Sequence, residues 1–268
     1  MKKLVIIAAK GDLSKKLIEY SKNKFELFIV ALIGETDPLL IENLPHIWIH
    51  IGEIGKAIDA MKEAQIKQVV FVGSLQKPDL LSLKVDMMGA KLLAKITKDQ
   101  LFGDNSILSS ITKFLESHEF KVIGVHEILQ DLVVKESNFT ILQPNQQDQL
   151  DIELAERVVK ELGALDVGQG AIVQNGVVLG VEAIEGTDAL IKRCGELKRT
   201  SNGGVLFKAS KPGQELRMDL PTIGFATIMN MDKAGFKGIV IEAERAIFLD
   251  QQEVIEFANE RHMFVCAR

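Results

Sequence analysis

The chain has 268 residues, 47% hydrophobic and 26% charged, an ordinary globular composition long enough for two domains with a core in each. Its formal net charge of -5 at pH 7 lacks the basic footprint of a duplex-binding protein, so no nucleic-acid partner is expected. The longest apolar stretch, Leu27 to Ile33, is far below the roughly 20 residues that cross a bilayer, which excludes a spanning helix.

In chain order, Met1-Lys-Lys3 and the apolar run Leu4 to Ala9 look at first like a targeting segment. The run is too short for a signal core and is broken by Lys10-Gly-Asp12, so it reads as a buried first strand of a cytoplasmic protein. A helix over Leu13 to Ser21 and a strand over Phe25 to Ile33 follow. Pro45-His-Ile-Trp-Ile-His50 alternates like a strand, which argues against a helical metal face for His46 and His50. Glu53 to Ala64 is helical, with Ile54, Ala57, Ile58 and Met61 on one face, and Val69 to Val72 is a strand ending at Gly73. Helical patterns over Lys84 to Lys95 and Ser106 to His118 precede a strand at Val122 to Val125. Strands alternating with helices predict an α/β fold whose N-terminal domain, residues 1–134, is Rossmann-like with a mostly parallel sheet. Residues 135–147 are polar and aperiodic, which suits a linker.

The second domain, residues 148–268, reads as mixed α/β. It opens with a helix over Gln149 to Leu162, its apolar face drawn from Leu150, Leu154, Val158 and Leu162. Asn175-Gly176 between two β runs predicts a hairpin, because a type I′ turn needs positive φ at both positions. Thr187 suits the cap of a helix with Leu190, Ile191, Cys194 and Leu197 on one face. Strand Val205 to Phe207, helix Thr222 to Lys233, strand Ile239 to Glu242, helix Gln251 to Arg261 and strand Met263 to Cys266 complete it.

Polar groups gather at strand ends, where open α/β sheets bind ligands. Gly11 and Asp12 follow the first strand and Gly73 the third helix-linked one, but a lone glycine at the first turn disfavours classical NAD binding. Asp104 and Asn105 serve either as a helix cap or as a place to hold a cation with phosphate oxygens. Glu185, Thr187 and Asp188 lie at a helix start, and Lys208, Lys211, Arg217, Asp219 and Thr222 share one long loop. With Pro221 in the first turn of the next helix, Asp219 falls just outside a helix N-terminus, and that positive end and Arg217 both favour its carboxylate form. Such a group suits binding Mg²⁺ or orienting a water better than strong general-base work. Cys194 and Cys266 have no metal-ligand spacing and no activating partner, and they read as reduced thiols. The histidines and cysteines present no metal face and there is no G-x-S-x-G elbow, so zinc and acyl-enzyme chemistry are not expected.

Asp166-Val-Gly-Gln169, Val181-Glu-Ala-Ile-Glu-Gly-Thr-Asp188, Lys211-Pro212 and Arg217-Met-Asp-Leu-Pro-Thr-Ile-Gly224 closely resemble the LpxI-type UDP-2,3-diacylglucosamine pyrophosphatases of lipid A synthesis. The resemblance implies an N- and a C-terminal domain holding the substrate between them. It also implies Mg²⁺-dependent attack of water on the α-phosphorus, giving UMP and 2,3-diacylglucosamine 1-phosphate. The family's essential aspartate matches Asp219. Charge and location add Arg217 and Lys211 as catalytic groups and Glu185 and Asp188 as metal ligands beside Asp219. Gly11, Asp12, Gly73, Asp104, Thr187, Lys208 and Thr222 are expected to bind substrate. Two departures stand out: Gly11-Asp-Leu-Ser14 replaces a Gly-x-Leu-Pro, and Asp104-Asn105 replaces a pair of aspartates. Leu39-Leu-Ile41, Leu80-Leu81 and Met87-Met88 are read as core in preference to an acyl groove. A lipid substrate implies transient contact with the cytoplasmic face of the inner membrane, and a homodimer is left open. The competing readings are a nucleotide-sugar or lipid-binding regulator without turnover and a nicotinamide-dependent oxidoreductase.

Overall fold

A computed structural model describes residues 1–75, 83–98, 104–201 and 203–268, with only the backbone at residues 97, 98 and 104. The chain forms two compact units. The first comprises Met1–Leu129 with Glu215–Asp219, and the second Gln130–Gln214 with Leu220–Arg268.

In the first unit the order is β1 (Lys2–Ala8), α1 (Asp12–Ser21), β2 (Phe25–Leu32), β3 (His46–Ile49), α2 (Ile54–Glu63), β4 (Gln68–Val72), α3 (Met87–Lys98), α4 (Asp104–Glu116), β5 (Lys121–Ile123) and α5 (Val125–Ile128). The strands lie β3-β2-β1-β4-β5, all parallel. Both faces of such a sheet are covered, so its strands read as apolar runs. Leu4, Val5, Ile6 and Ala8 of β1 are fully buried, as are Ile29, Val30 and Ala31 of β2. The chain winds outward from β1 to β3 and then returns to β4 on the other side of β1. The strand order therefore reverses between β1 and β4, which makes their carboxyl ends the crevice of this unit.

The second unit runs β6 (Ser137–Asn138), α6 (Gln146–Ala164), β7 (Gly170–Gln174), β8 (Val177–Val181), α7 (Gly186–Glu196), β9 (Val205–Lys208), β10 (Thr222–Ile223), α8 (Phe225–Lys233), β11 (Gly238–Ile241), β12 (Ile247–Phe248), α9 (Gln251–Glu260) and β13 (Phe264–Ala267). Its larger sheet has the order β6-β13-β11-β9-β7-β8 and is mixed: β9, β11 and β13 are parallel, with antiparallel partners at both edges. The hairpin turn is where the sequence places it, with Asn175 at φ 51° and Gly176 at φ 76°. Its two turn amides donate to the buried Asp151 carboxylate on α6, both at 2.7 Å, so the helix fixes the turn.

Three expectations change. Residues 135–147 lie within the second unit: Ser137 and Asn138 pair with β13, and Phe139 packs against Phe248 in the core. The buried face of α6 is Ile152, Ala155 and Val159, while Leu150 is exposed. Leu154 and Val158 pack only at its margin. No helix starts at Thr222. The β-branched pair Thr222-Ile223 finds a parallel partner in β12, Gly224 is extended, and α8 begins at Phe225. Asp219 is therefore remote in sequence from that helix N-terminus, and the dipole argument for its charge falls.

Leu39 and Met87 are also not core, being 81% and 77% exposed, although Ile41 is buried. Leu80-Leu81 lies outside the described residues. Both thiols sit inside the second unit, and burial pushes the Cys266 thiol up to about 11, which removes it as a nucleophile at neutral pH.

Candidate active site

Two buried lysines mark the carboxyl edge of the larger sheet. Lys208 ends β9 with 7% of its surface exposed, and Lys211 follows at 8%. Isolated buried ammonium groups are costly, so their partners are informative. The Lys208 ammonium donates to Thr187 Oγ1 at 2.8 Å and to the Thr222 carbonyl at 3.3 Å. Thr187 in turn donates to Glu182 Oε1 at 3.0 Å. Glu182, itself 7% exposed, is thus joined to Lys208 through one hydroxyl, a buried hydrogen-bond relay between two groups of opposite charge. Two of the three ammonium donors of Lys208 are occupied by these contacts. Thr187 is not a cap: Glu185 holds that position, and Thr187 lies in the first turn of α7.

Glycines make room for Glu182. A Cβ on Gly168 would stand 1.8 Å from the Glu182 carbonyl oxygen, and one on Gly170 would stand 2.6 Å from Glu182 Oε2. Among the described residues Glu182 Oε2 has no hydrogen-bond partner. Lys211 is positioned by its own turn. Lys211-Pro-Gly-Gln214 closes with Gln214 N–H donating to the Lys211 carbonyl, Pro212 pre-setting its φ and Gly213 at φ 72°. The Lys211 ammonium then donates to Asp166 Oδ1 at 2.7 Å. Beside these groups, Ser210 gives both its amide and its hydroxyl to Glu242 Oε2 at the end of β11.

The expected metal carboxylates on α7 are occupied differently. Arg193 donates to Glu185 Oε1 at 2.7 Å, and that contact holds the Glu185 carboxyl below the usual carboxylate range. Asp188 accepts from Asn230 at 3.0 Å. Among the described residues no three His, Cys, Asp or Glu side chains converge on one point.

The first unit has its own constellation at the β1–β4 reversal. Gly11 caps α1 at φ 118°, Asp12 opens the helix, and the buried Ser14 donates to the Ala9 carbonyl at 2.8 Å. A proline at position 14 would have no such hydroxyl, so this departure from the family pattern supplies a turn-closing bond. Gly73 has φ 102°, and a Cβ there would meet Ser14 Oγ at 2.5 Å and the Lys10 carbonyl oxygen at 2.6 Å. Gly73→Ala should therefore combine backbone strain with a collision, lowering stability by about 1–3 kcal/mol. A reduced urea midpoint at unchanged slope would register it. The side chain of Asp104 lies outside the described residues.

Residues 215–219 join the first unit although the chain on either side belongs to the second. The Glu215 amide donates to Asn105 Oδ1 at 2.7 Å, Met218 packs on the first unit's core, and the Met218 and Asp219 amides both donate to the Glu215 carbonyl. Arg217 Nε and Nη2 grip the two oxygens of Glu215 at 2.8 Å each, while Nη1 reaches Glu116 Oε1 at 2.7 Å. Arg217 holds the Glu215 carboxyl below its usual range, and the two carboxylates raise Arg217 further. Three of its five N–H donors go to Glu215 and Glu116. Asp219 follows two residues later.

Matches to known families cover this whole arrangement. Residues 3–132 match the model described as LpxI N-terminal domain, and residues 135–266 match the LpxI C-terminal domain. The chain belongs to the LpxI family. A curated relative, the UDP-2,3-diacylglucosamine pyrophosphatase LpxI of Caulobacter vibrioides, is 36% identical over 272 residues, covering 99% of this chain and 97% of the relative. The LpxI assignment spans both units, so neither constellation stands outside it.

The sequence singled out Thr187, Lys208, Lys211 and Thr222, and the structure gathers Thr187, Lys208 and Thr222 into one bonded group. Glu185 and Asp188 lie on the adjoining helix, whereas Gly11, Asp12, Gly73, Arg217 and Asp219 belong to the other unit. Glu182, Glu116 and Asn105 were not given these roles from sequence. A carboxylate closing an apolar strand opposite Gly168-x-Gly170 was the available signal for Glu182.

Proposed function

We propose that this chain hydrolyses the pyrophosphate of UDP-2,3-diacylglucosamine with Mg²⁺, releasing UMP and 2,3-diacylglucosamine 1-phosphate. Collinear identity across nearly the full length of a relative bearing that name carries the reading. It favours a hydrolase over a binder without turnover or a nicotinamide enzyme.

A pyrophosphate diester needs cations held away from water, where each interaction with phosphoryl oxygen is strengthened. Lys208 suits that task, with one ammonium donor beyond its two contacts among the described residues. Lys211, fixed by Asp166 and the Pro212-Gly213 turn, presents a second charge near the same strand end. Mg²⁺ usually takes one or two carboxylates with substrate phosphates and several waters. Asp219 would be a protein ligand in that mode. The bound ion would supply charge neutralisation at the phosphoryl group. Asp219 would orient water for attack.

The acyl chains call for apolar surface. In the first unit Ile33 directly after β2, Leu75 after β4 and Leu39 in the β2–β3 connection are exposed. Among the described residues no helix is long and apolar enough to cross a membrane. Peripheral contact with the cytoplasmic face of the inner membrane suits a lipid-bearing substrate.

Incubation with UDP-2,3-diacylglucosamine followed by ³¹P NMR tests the reading, the expected result being loss of the diester signals and appearance of two phosphomonoesters. An intact pyrophosphate after addition of Mg²⁺ would overturn it. Repeating the reaction in ¹⁸O water locates the attack. Label in UMP means the α-phosphorus, as the family resemblance implies, and label in the sugar phosphate means the β-phosphorus.

A further inference from the structure

We infer that Arg217 and Glu116 are positioning residues: they latch the 215–219 segment onto α4 and so fix where Asp219 stands. The inference rests on the proposed role of Asp219. Its geometry stands apart from that role, because every contact used is within the first unit.

The segment has little regular structure of its own. Its backbone is pinned by one bond from Glu215 to Asn105 and by the two amides that converge on the Glu215 carbonyl. A five-residue segment without a helix or strand of its own needs side-chain anchors to keep a single conformation. Met218 provides an apolar one. Arg217 provides the polar one, with the planar fork engaging Glu215 at two points and Glu116 at a third. A planar guanidinium that binds two carboxylates sets direction as well as distance, which a lysine cannot do. Glu116 is the last residue of α4, so the latch refers the loop to a rigid helix. Asp219 is bonded through its amide to the same Glu215 that Arg217 grips, so a displaced Arg217 displaces Asp219. With these contacts made, three of the five guanidinium N–H donors of Arg217 are engaged within the first unit.

The test is a cycle of Glu116→Ala, Arg217→Ala and the double variant, with Lys67→Ala, from an exposed pair with Glu119, as control. UMP release and amide hydrogen exchange at Met218 and Asp219 are measured on each. A latch predicts that each single variant loses about 10- to 100-fold in kcat at nearly unchanged KM. It also predicts that the double variant is no worse than Arg217→Ala, because the contact that Glu116→Ala removes is already gone in Arg217→Ala. The two amides should exchange faster in all three. If Arg217→Ala folds poorly, Glu116→Gln carries the same expectation with its side-chain shape kept. A fall confined to Arg217→Ala, with KM raised and Glu116→Ala near wild type, would overturn the latch and make Arg217 a substrate contact. Unchanged exchange at Met218 and Asp219 would also overturn it. A wild type that releases no UMP defeats the functional reading instead, and the exchange data still decide the latch.

Discussion

Asp219→Asn should lower UMP release by about 10²- to 10⁴-fold, the range for removing a group that positions or activates the attacking water. Asparagine keeps the size of the side chain and the backbone bond from residue 219 to the Glu215 carbonyl, so the 215–219 segment should stay docked. The melting temperature should remain near that of the wild type. What changes is charge. An amide is a poor ligand for a hard cation and cannot draw a proton from water. Raising the Mg²⁺ concentration separates the two contributions: partial recovery means that Asp219 mainly holds the ion, and none means that it mainly orients water. Full activity in Asp219→Asn, measured by ³¹P NMR, would remove Asp219 from the mechanism.

That prediction concerns a residue that its motif singled out in the sequence, while its surroundings were not legible there. The strands of the first unit were readable because a parallel sheet buries both faces, so β1 and β2 appear as unbroken apolar runs. The Asn175-Gly176 turn was readable because its backbone demand is local. The docking of residues 215–219 was unreadable for the opposite reason, since Arg217 meets Glu116 across 101 positions of sequence. Its placement beside Asp219 suggested an electrostatic partner there, yet the guanidinium turns to Glu215 and Glu116. The reading of Thr222 as a helix start failed by the same logic. Pro221 is a local signal, and the pairing of Thr222-Ile223 with Ile247-Phe248 is a tertiary one that overrides it. The face of α6 was misassigned because leucines recur on two sides of the helix, and only the sheet it covers selects Ile152, Ala155 and Val159. At the lysine cluster the sequence supplied Lys208 and Thr187 as separate polar residues. Their union required the third member, Glu182, and the glycines that admit it.

Lys208→Met and Glu182→Gln should each destabilise the second unit by about 3–5 kcal/mol, the usual cost of stranding one member of a buried pair. Both side chains are more than nine-tenths buried and communicate through the Thr187 hydroxyl, so neither charge has water to fall back on. The double variant Lys208→Met/Glu182→Gln leaves no stranded charge and should regain a large part of the lost stability, seen as a urea midpoint above both singles. Activity should not follow. Without the ammonium, the donor available to phosphoryl oxygen is gone, and UMP release should stay low in the double variant while it folds well. A double variant no more stable than the worse single would show that Glu182 and Lys208 are not coupled. One that regained both stability and turnover would show that Lys208 serves packing alone. Stability and catalysis are separable here because the hydroxyl bridge takes one donor of Lys208 and the Thr222 carbonyl a second, while the task assigned to the third is phosphate.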